Sequence, residues 1–304
     1  MKYCVVIVDG AAGWPLPERG NKTSLELART PHLDAMAREG LVGLTRTIPD
    51  GLEPSSDNAC MSILGYDPGR YHQGRAAIEA RSMGIAADSG ALFRANLVAV
   101  RDGRMHDYSG GHITSEEAGA LIAALNENLG GDGVCFYPGV SYRNICKLTG
   151  HDDTLGATCT PPHDIPGRSI REFLPDGPGS GLLRDLMRRS EAVLAGHHVN
   201  RERQQRGLPA ANMLWLFWGS GQATPMPDFR KRYGVRAAIT SAVDVLRGLA
   251  LMVGLDLLDL SGVTDNLDND FAGQGRGALE ALDRYDLVVI HIEATDEAGH
   301  AGGR

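Results

Sequence analysis

The chain is poor in cysteine. Its five cysteines, at positions 4, 60, 135, 146 and 159, make an odd number and form no C-x-x-C pair. That excludes a disulfide framework and a zinc ribbon, and it suits a reducing, cytoplasmic setting. Long hydrophobic runs are also missing. None approaches the roughly 18 apolar residues of a transmembrane helix, so no membrane partner is expected. No basic segment precedes the first apolar run, and an acid follows it at Asp9, so no signal peptide is expected. Positive charge is scarce as well: 30 Lys and Arg against 38 Asp and Glu give a net charge of −8. A nucleic-acid partner is therefore not expected. A small anion is still compatible, because a local group of arginines or bound metal ions outweighs a negative global field.

What the chain has in excess is glycine, 39 residues of 304. Such usage fits tight loops between strands and helices, and close approach of backbone to a ligand. The remaining composition is that of an ordinary globular protein long enough for one large or two medium domains.

Three apolar runs have the character of strands buried on both faces: Tyr3–Val8, Met213–Trp218 and Leu287–Ile292. They end in Asp9-Gly10, Gly219-Ser220-Gly221 and Glu293. Open α/β sheets hold ligands outside the carboxyl ends of their strands. Helices are expected from Pro31, with Thr30 as N-cap, and over Ala237–Met252. The middle of the chain has different grammar. Leu92–Arg101 and Arg104–Tyr108 flank an Asp-Gly turn, Thr114 and Glu117 make a capping box for a helix over Ser115–Leu129, and Val134–Tyr137 and Tyr142–Leu148 again suit strands. The expected organisation is an α/β core over 1–74 and 206–304, with a smaller α+β domain inserted at 75–205.

Four places carry candidate chemistry. Asp9 directly follows a buried strand, a position suited to a metal ligand and equally to a loop cap. Ser56 and Asp57 open a helix after a polar loop. That suits a plain N-cap, and also a nucleophile facing a phosphate at a helix N-terminus. A metal ion would lower the pKa of that hydroxyl. Asp296 and His300 are four residues apart, on one face of a helical turn, and can bind one ion together. His163 and Asp164 stand in a Pro-rich loop, as a rigid turn or as groups that contact substrate or relay a proton. His112, after Gly110-Gly111, and Arg143 raise the same alternatives. Arginine suits carboxylate and phosphate because its fork binds both bidentately.

Seven stretches occur in an order that resembles the archaeal-type cofactor-independent phosphoglycerate mutases, within the alkaline-phosphatase-like superfamily. They are VIVDGAAGWP (6–15), ARTPHLDAMAREG (28–40), SSDNACMSILGYDP (55–68), HDYSGGHI (106–113), TPPHDIPGRSI (160–170), NMLWLFWGSGQ (212–222) and EATDEAGHAG (293–302). The resemblance implies an alkaline-phosphatase-like core with a mostly parallel sheet. It implies Asp9 and Ser56 as ligands of one divalent ion, with Ser56 as nucleophile, and Asp296 and His300 as ligands of a second. The ions would be Mn²⁺, Mg²⁺ or Zn²⁺, and no 2,3-bisphosphoglycerate would be required. His112, Arg143, His163, Asp164, Arg168, Arg203 and Arg206 would hold the phosphoglycerate. The implied reaction interconverts 3- and 2-phosphoglycerate through a phosphoserine, with the insert closing over the site to exclude water.

The sequence departs from the family pattern at Ser55, where Gly is usual, and at Ala59-Cys60, where Ala-Asn is usual. Family members also run further at the carboxyl end. That segment would supply an Asp-His pair for the first ion and a further His for the second, so this chain is expected to have an incomplete site and impaired activity. Two other readings keep the scaffold: a phosphatase or homoserine-kinase-like phosphotransferase, and a non-catalytic remnant that binds a phosphometabolite or partner.

Overall fold

The computed structural model describes residues 1–72, 74–87, 89–222 and 224–300, and divides the chain into two compact units. The first comprises Met1–Tyr71 and Pro225–Arg304, and the second His72–Thr224.

The first unit is built on a parallel sheet. Its strands are β1 (Tyr3–Val8), β7 (Ala237–Thr240), β8 (Asp256–Leu257) and β9 (Leu287–Ile292), in the order β1-β9-β7-β8. Tyr3 stands opposite Leu287 and Val8 opposite Ile292. Side chains alternate across the pleat. Val288 and Ile290 pack with Ala278 and Ala281 of the helix Phe271–Ala281, together with Leu258 and Tyr285. Residues of the other phase, Tyr3, Val5, Leu287 and Val289, line an open apolar concavity of about 380 Å³ with Ile63, Leu64, Phe229 and Tyr233. None of the candidate ligands lines it.

Two expectations are corrected here. β1 is not buried on both faces: Tyr3 is 47% and Val6 51% exposed. Among the described residues β1 is an edge strand, paired only with β9. Residues 237–252 are not one helix. Ala237–Thr240 is a fully buried central strand, and the helix begins only at Asp244. A short apolar run of Ala and Ile does not separate strand from helix by periodicity, and here the sheet claimed it.

The second unit centres on an antiparallel sheet. The long strand β2 (Ala91–Arg101) pairs with β3 (Arg104–Asp107), β5 (Arg143–Leu148) and β6 (Met213–Ser220), and β5 pairs with β4 (Val134–Tyr137). Helices Ser115–Leu129 and Ser180–Ala195 bury Leu121, Ile122, Leu125, Leu183, Leu186 and Met187 against it. Thr114 caps the first as expected: its hydroxyl accepts from the Glu117 N–H at 3.2 Å, and the Glu117 carboxylate accepts from the Thr114 N–H at 3.0 Å.

β6 is the third correction. The Met213–Trp218 run is apolar because it is interior, but it belongs to the antiparallel sheet of the second unit and not to the parallel sheet. Its register on β2 holds from Val98↔Met213 to Arg94↔Phe217 and then slips, so that Leu92 faces Ser220. The extra residue on β6 is a bulge. Trp218 takes φ +48 there, a conformation that bulky residues rarely adopt. Residues 206–224, expected with the core, accordingly fall in the second unit.

Candidate active site

Asp9 and Glu293 lie immediately past the carboxyl ends of β1 and β9. The Asp9 N–H donates to the Ile292 carbonyl at 3.0 Å, and the Thr295 hydroxyl donates to the Asp9 carbonyl. Gly10 permits this crossing. It has φ +70, and a Cβ there would fall 2.7 Å from the Asp296 amide nitrogen. Asp9 and Asp296 are thus carried by two strand ends pressed together. The helix Ala294–His300 then puts His300 Nε2 3.4 Å from Asp296 Oδ2.

His291, which sequence reasoning passed over, stands at the centre of this corner. It is the fifth residue of β9, opposite Ile7, and its side chain is fully buried. Its Nε2 lies 3.4 Å from Asp9 Oδ2 and 3.4 Å from Glu293 Oε2, while its Nδ1 shares a 3.1 Å hydrogen bond with the Ser241 hydroxyl. The hydrogen bond to His291 holds the Asp9 carboxyl below the ordinary carboxylate range, against burial, which raises it; the Ser56 hydroxyl and the Gly10 N–H also lower it. A lone histidine in the otherwise apolar run LVVIHI was the available signal.

Ser56 is the first residue of the helix Ser56–Ile63 and not its cap. Ser55 occupies the cap position, without a side-chain bond to the helix backbone. The preceding loop is tied down by Asn58, whose Nδ2 donates to the Glu53 carbonyl at 3.0 Å and to the Ser55 hydroxyl at 3.1 Å. Cys60, one turn after Ser56, is buried. Burial raises its thiol pKa well above the usual value, and the nearby Asp9, Glu293 and Asp57 carboxylates add to this. Donor atoms of Asp9, Cys60 and His291 lie within 4.8 Å of one another. A mixed O, N and S set is chemically suited to a divalent metal ion.

In the second unit, Arg143 and His163 meet through a chain of rings. The Arg143 guanidinium lies 5.1 Å from the Tyr142 ring, Tyr142 packs edge-on to Tyr108 at 6.0 Å, and His163 lies 6.2 Å from Tyr108 and 5.5 Å from Trp218. The bulge aims Trp218 at two further cations. Arg75 and Arg94 each stand 5.3 Å from its ring, and both pair with Glu79, at 2.8 and 3.1 Å. Burial pushes the Arg94 guanidinium down to about 10, against Glu79, which raises it; Arg75 and Arg143 lower it further. Sequence reasoning missed Arg75, at the start of the helix Arg75–Ser82, and Arg94, inside the apolar strand β2, because such a charge has no pattern until its partners on other elements are known.

The other candidates make different contacts. Asp164 is exposed, 3.7 Å from His163. Arg168 stacks on Phe173 at 4.2 Å. His112 is exposed at φ +51, its N–H donating to Ser109 at 3.0 Å. Arg206 is exposed beside Glu117 at 3.5 Å. Arg203 departs from the expectation of a substrate contact. It is 2% exposed and donates to Glu117 Oε2 at 2.6 Å and to the carbonyls of Gly110, Gly111 and Pro209 at 2.7, 2.8 and 3.0 Å. Four internal acceptors make it a brace for the loop that carries His112.

A family profile described as 2,3-bisphosphoglycerate-independent phosphoglycerate mutase matches residues 37–200. A protein of that name from Methanothrix thermoacetophila is 48% identical over 303 residues, covering 99% of this chain and 76% of the relative. The chain belongs to this family. Geobacter sulfurreducens has a relative named as a probable member, 45% identical over 307 residues. Among solved structures, the PH0037 protein from Pyrococcus horikoshii superposes with a TM-score of 0.78 at 26% identity, over 99% of this chain and 73% of that one. A cofactor-independent phosphoglycerate mutase from Thermoplasma acidophilum shares the fold, with a TM-score of 0.59 at 24% identity. Members of this family carry the name of an isomerase that works without 2,3-bisphosphoglycerate. No helix among the described residues is long and apolar enough to cross a membrane.

Proposed function

We propose that the chain acts as a metal-dependent phosphoglycerate mutase with Ser56 as nucleophile. The observation that supports this is the meeting of Asp9, Ser56 and Asp296 at the carboxyl ends of β1 and β9, in a member of the mutase family. Asp9 and Ser56 would hold one divalent ion, and Asp296 and His300 a second. When bound, such ions polarise phosphoryl oxygens and acidify a coordinated hydroxyl.

The chain's own residues supply the rest. Ser56 Oγ attacks phosphorus, the bond from phosphorus to the 3-oxygen breaks, and the proton lost by Ser56 ends on that oxygen. The 2-hydroxyl then attacks the phosphoserine. The bond to Ser56 Oγ breaks, and the serine recovers a proton from the 2-hydroxyl. Placing Ser56 at the first position of a helix gives its phosphoryl oxygens the helix amides as partners. Within the second unit, Arg75, Arg94, Arg143 and His163 are groups of the kind that take carboxylate and phosphate, with Arg75 and Arg94 against the Trp218 ring.

The test is conversion of 3- to 2-phosphoglycerate with Mn²⁺, Mg²⁺ or Zn²⁺, together with mass spectrometry of the Ser56 peptide after acid quench. Expected are turnover, a phosphate on Ser56, and a loss of about 10³-fold or more in Ser56→Ala at unchanged melting temperature. Absence of turnover with every ion, or a Ser56→Ala variant as active as the parent, would refute the assignment.

A further inference from the structure

We propose that Asp9, Cys60 and His291 together form a site for one thiophilic divalent ion, of which Zn²⁺ is the type. The proposal deepens the metal-dependent reading above, on which it rests through Asp9, by naming two further ligands and the class of ion they select.

Three elements converge to make the site. Asp9 follows β1, His291 is in the neighbouring strand β9, and Cys60 is on the helix Ser56–Ile63. Cys60 is four residues after Ser56, so thiol and hydroxyl project from one face of that helix. One donor atom from each of Asp9, Cys60 and His291 lies within 4.8 Å of the other two. Zinc to sulfur is about 2.3 Å and zinc to nitrogen about 2.0 Å, so an ion in their midst draws the donors only slightly inward.

The imidazole is oriented for the task before any ion arrives. Its Nδ1 is held by Ser241, whose hydroxyl is itself fixed by the Val243 N–H at 3.1 Å. Its backbone carbonyl accepts from Gln274 Nε2 at 3.0 Å. Binding an ion would displace the Nε2 proton now shared with Asp9, and Nδ1–H donated to Ser241 would leave the Nε2 lone pair free for the ion. An outer partner on the second ring nitrogen is the usual companion of a ligating histidine. Glu293, 3.4 Å from the same Nε2, is a nearby carboxylate beside the three.

The thiol decides which ion is taken. Mg²⁺ and Mn²⁺ favour carboxylate, carbonyl and water oxygen, whereas a sulfur and an imidazole nitrogen favour zinc. Cys60 is 2% exposed and sits among carboxylates, where it meets an ion held by Asp9 and not bulk solvent. Three protein ligands is the number a catalytic zinc site usually takes from its protein.

The test is titration of the purified chain with Co²⁺, a spectroscopic stand-in for zinc, followed by competition with Zn²⁺. One equivalent should bring up a thiolate-to-cobalt charge-transfer band that Zn²⁺ removes. Cys60→Ser should abolish the band and weaken Zn²⁺ binding at least about 10-fold while leaving Mn²⁺ binding unchanged, and Ser241→Ala should weaken Zn²⁺ binding by about 10- to 100-fold. A band that survives Cys60→Ser, or none in the parent, overturns the proposal. Should Cys60→Ser fail to fold, X-ray absorption of the zinc-loaded parent decides: one sulfur in the first shell supports the site, and none refutes it. Absence of the band alongside Ser56-dependent turnover with Mn²⁺ defeats this proposal alone. A band without turnover defeats the mutase reading alone.

Discussion

Arg203 and Glu117 show how one buried ion pair serves a loop. The guanidinium spans Glu117 and three carbonyls, two of them in the Gly110-Gly111 turn beside His112. Removing it leaves those acceptors and a carboxylate without their donor, so Arg203→Met should lower stability by about 3 kcal/mol in urea denaturation. Glu117 predicts a pH dependence. Burial raises its pKa, but the Thr114 N–H and hydroxyl together with Arg203 outweigh this and hold it below the ordinary 4.5. A carboxyl whose folded pKa is depressed contributes stability above its unfolded value, and that contribution fades as pH falls through the folded one. The stability advantage of the parent over Glu117→Gln should therefore be full at neutral pH and shrink in acid. Equal spacing of the two denaturation curves at all pH values would refute this.

Among the elements, the helix Ser115–Leu129 and the start of β6 offer the clearest tests. Thr114→Ala removes one half of a capping box and should cost about 1 kcal/mol. Asn200 is fully buried and makes three bonds: Nδ2 to the carbonyls of Leu194 and Ala211, and Oδ1 from the Ala211 N–H, all at 2.9 Å. It ties the helix His198–Gln205 to the strand that follows. Asn200→Ala strands those backbone groups and should cost about 3 kcal/mol, more than the exposed cap. Comparable losses from the two variants in thermal melts would contradict this ranking.

For the whole molecule, each of the two units has a core of its own. The second unit gathers most of the large buried side chains, including Phe93, Leu97, Phe136, Trp215 and Phe217, around its antiparallel sheet. The first buries Met61, Tyr66, Leu246, Leu249 and Val253 as well as the cluster about Ala238, Tyr285 and Val288, but leaves β1 partly exposed. Denaturation should therefore not be two-state. Trp215 and Trp218 report the second unit and Trp14 is 89% exposed, so tryptophan fluorescence should change at higher urea than far-ultraviolet circular dichroism begins to. Superimposable curves from the two probes would show a single cooperative unit.

Local pattern was enough to define β1, β2, β3, β4, β9 and the capped helix Ser115–Leu129, because period, turn residues and capping are near neighbours in the chain. It also singled out Asp9, Ser56, Asp296 and His300, each beside the end of an apolar run or on a helical turn. Tertiary structure alone decided that Met213–Ser220 joins an antiparallel sheet, since a buried strand looks the same in either direction. It alone gave Arg203 its bracing role, and it alone brought His291, Cys60, Arg75 and Arg94 to their partners. A buried polar group has meaning only through what it faces, and here the facing residues lie far along the chain.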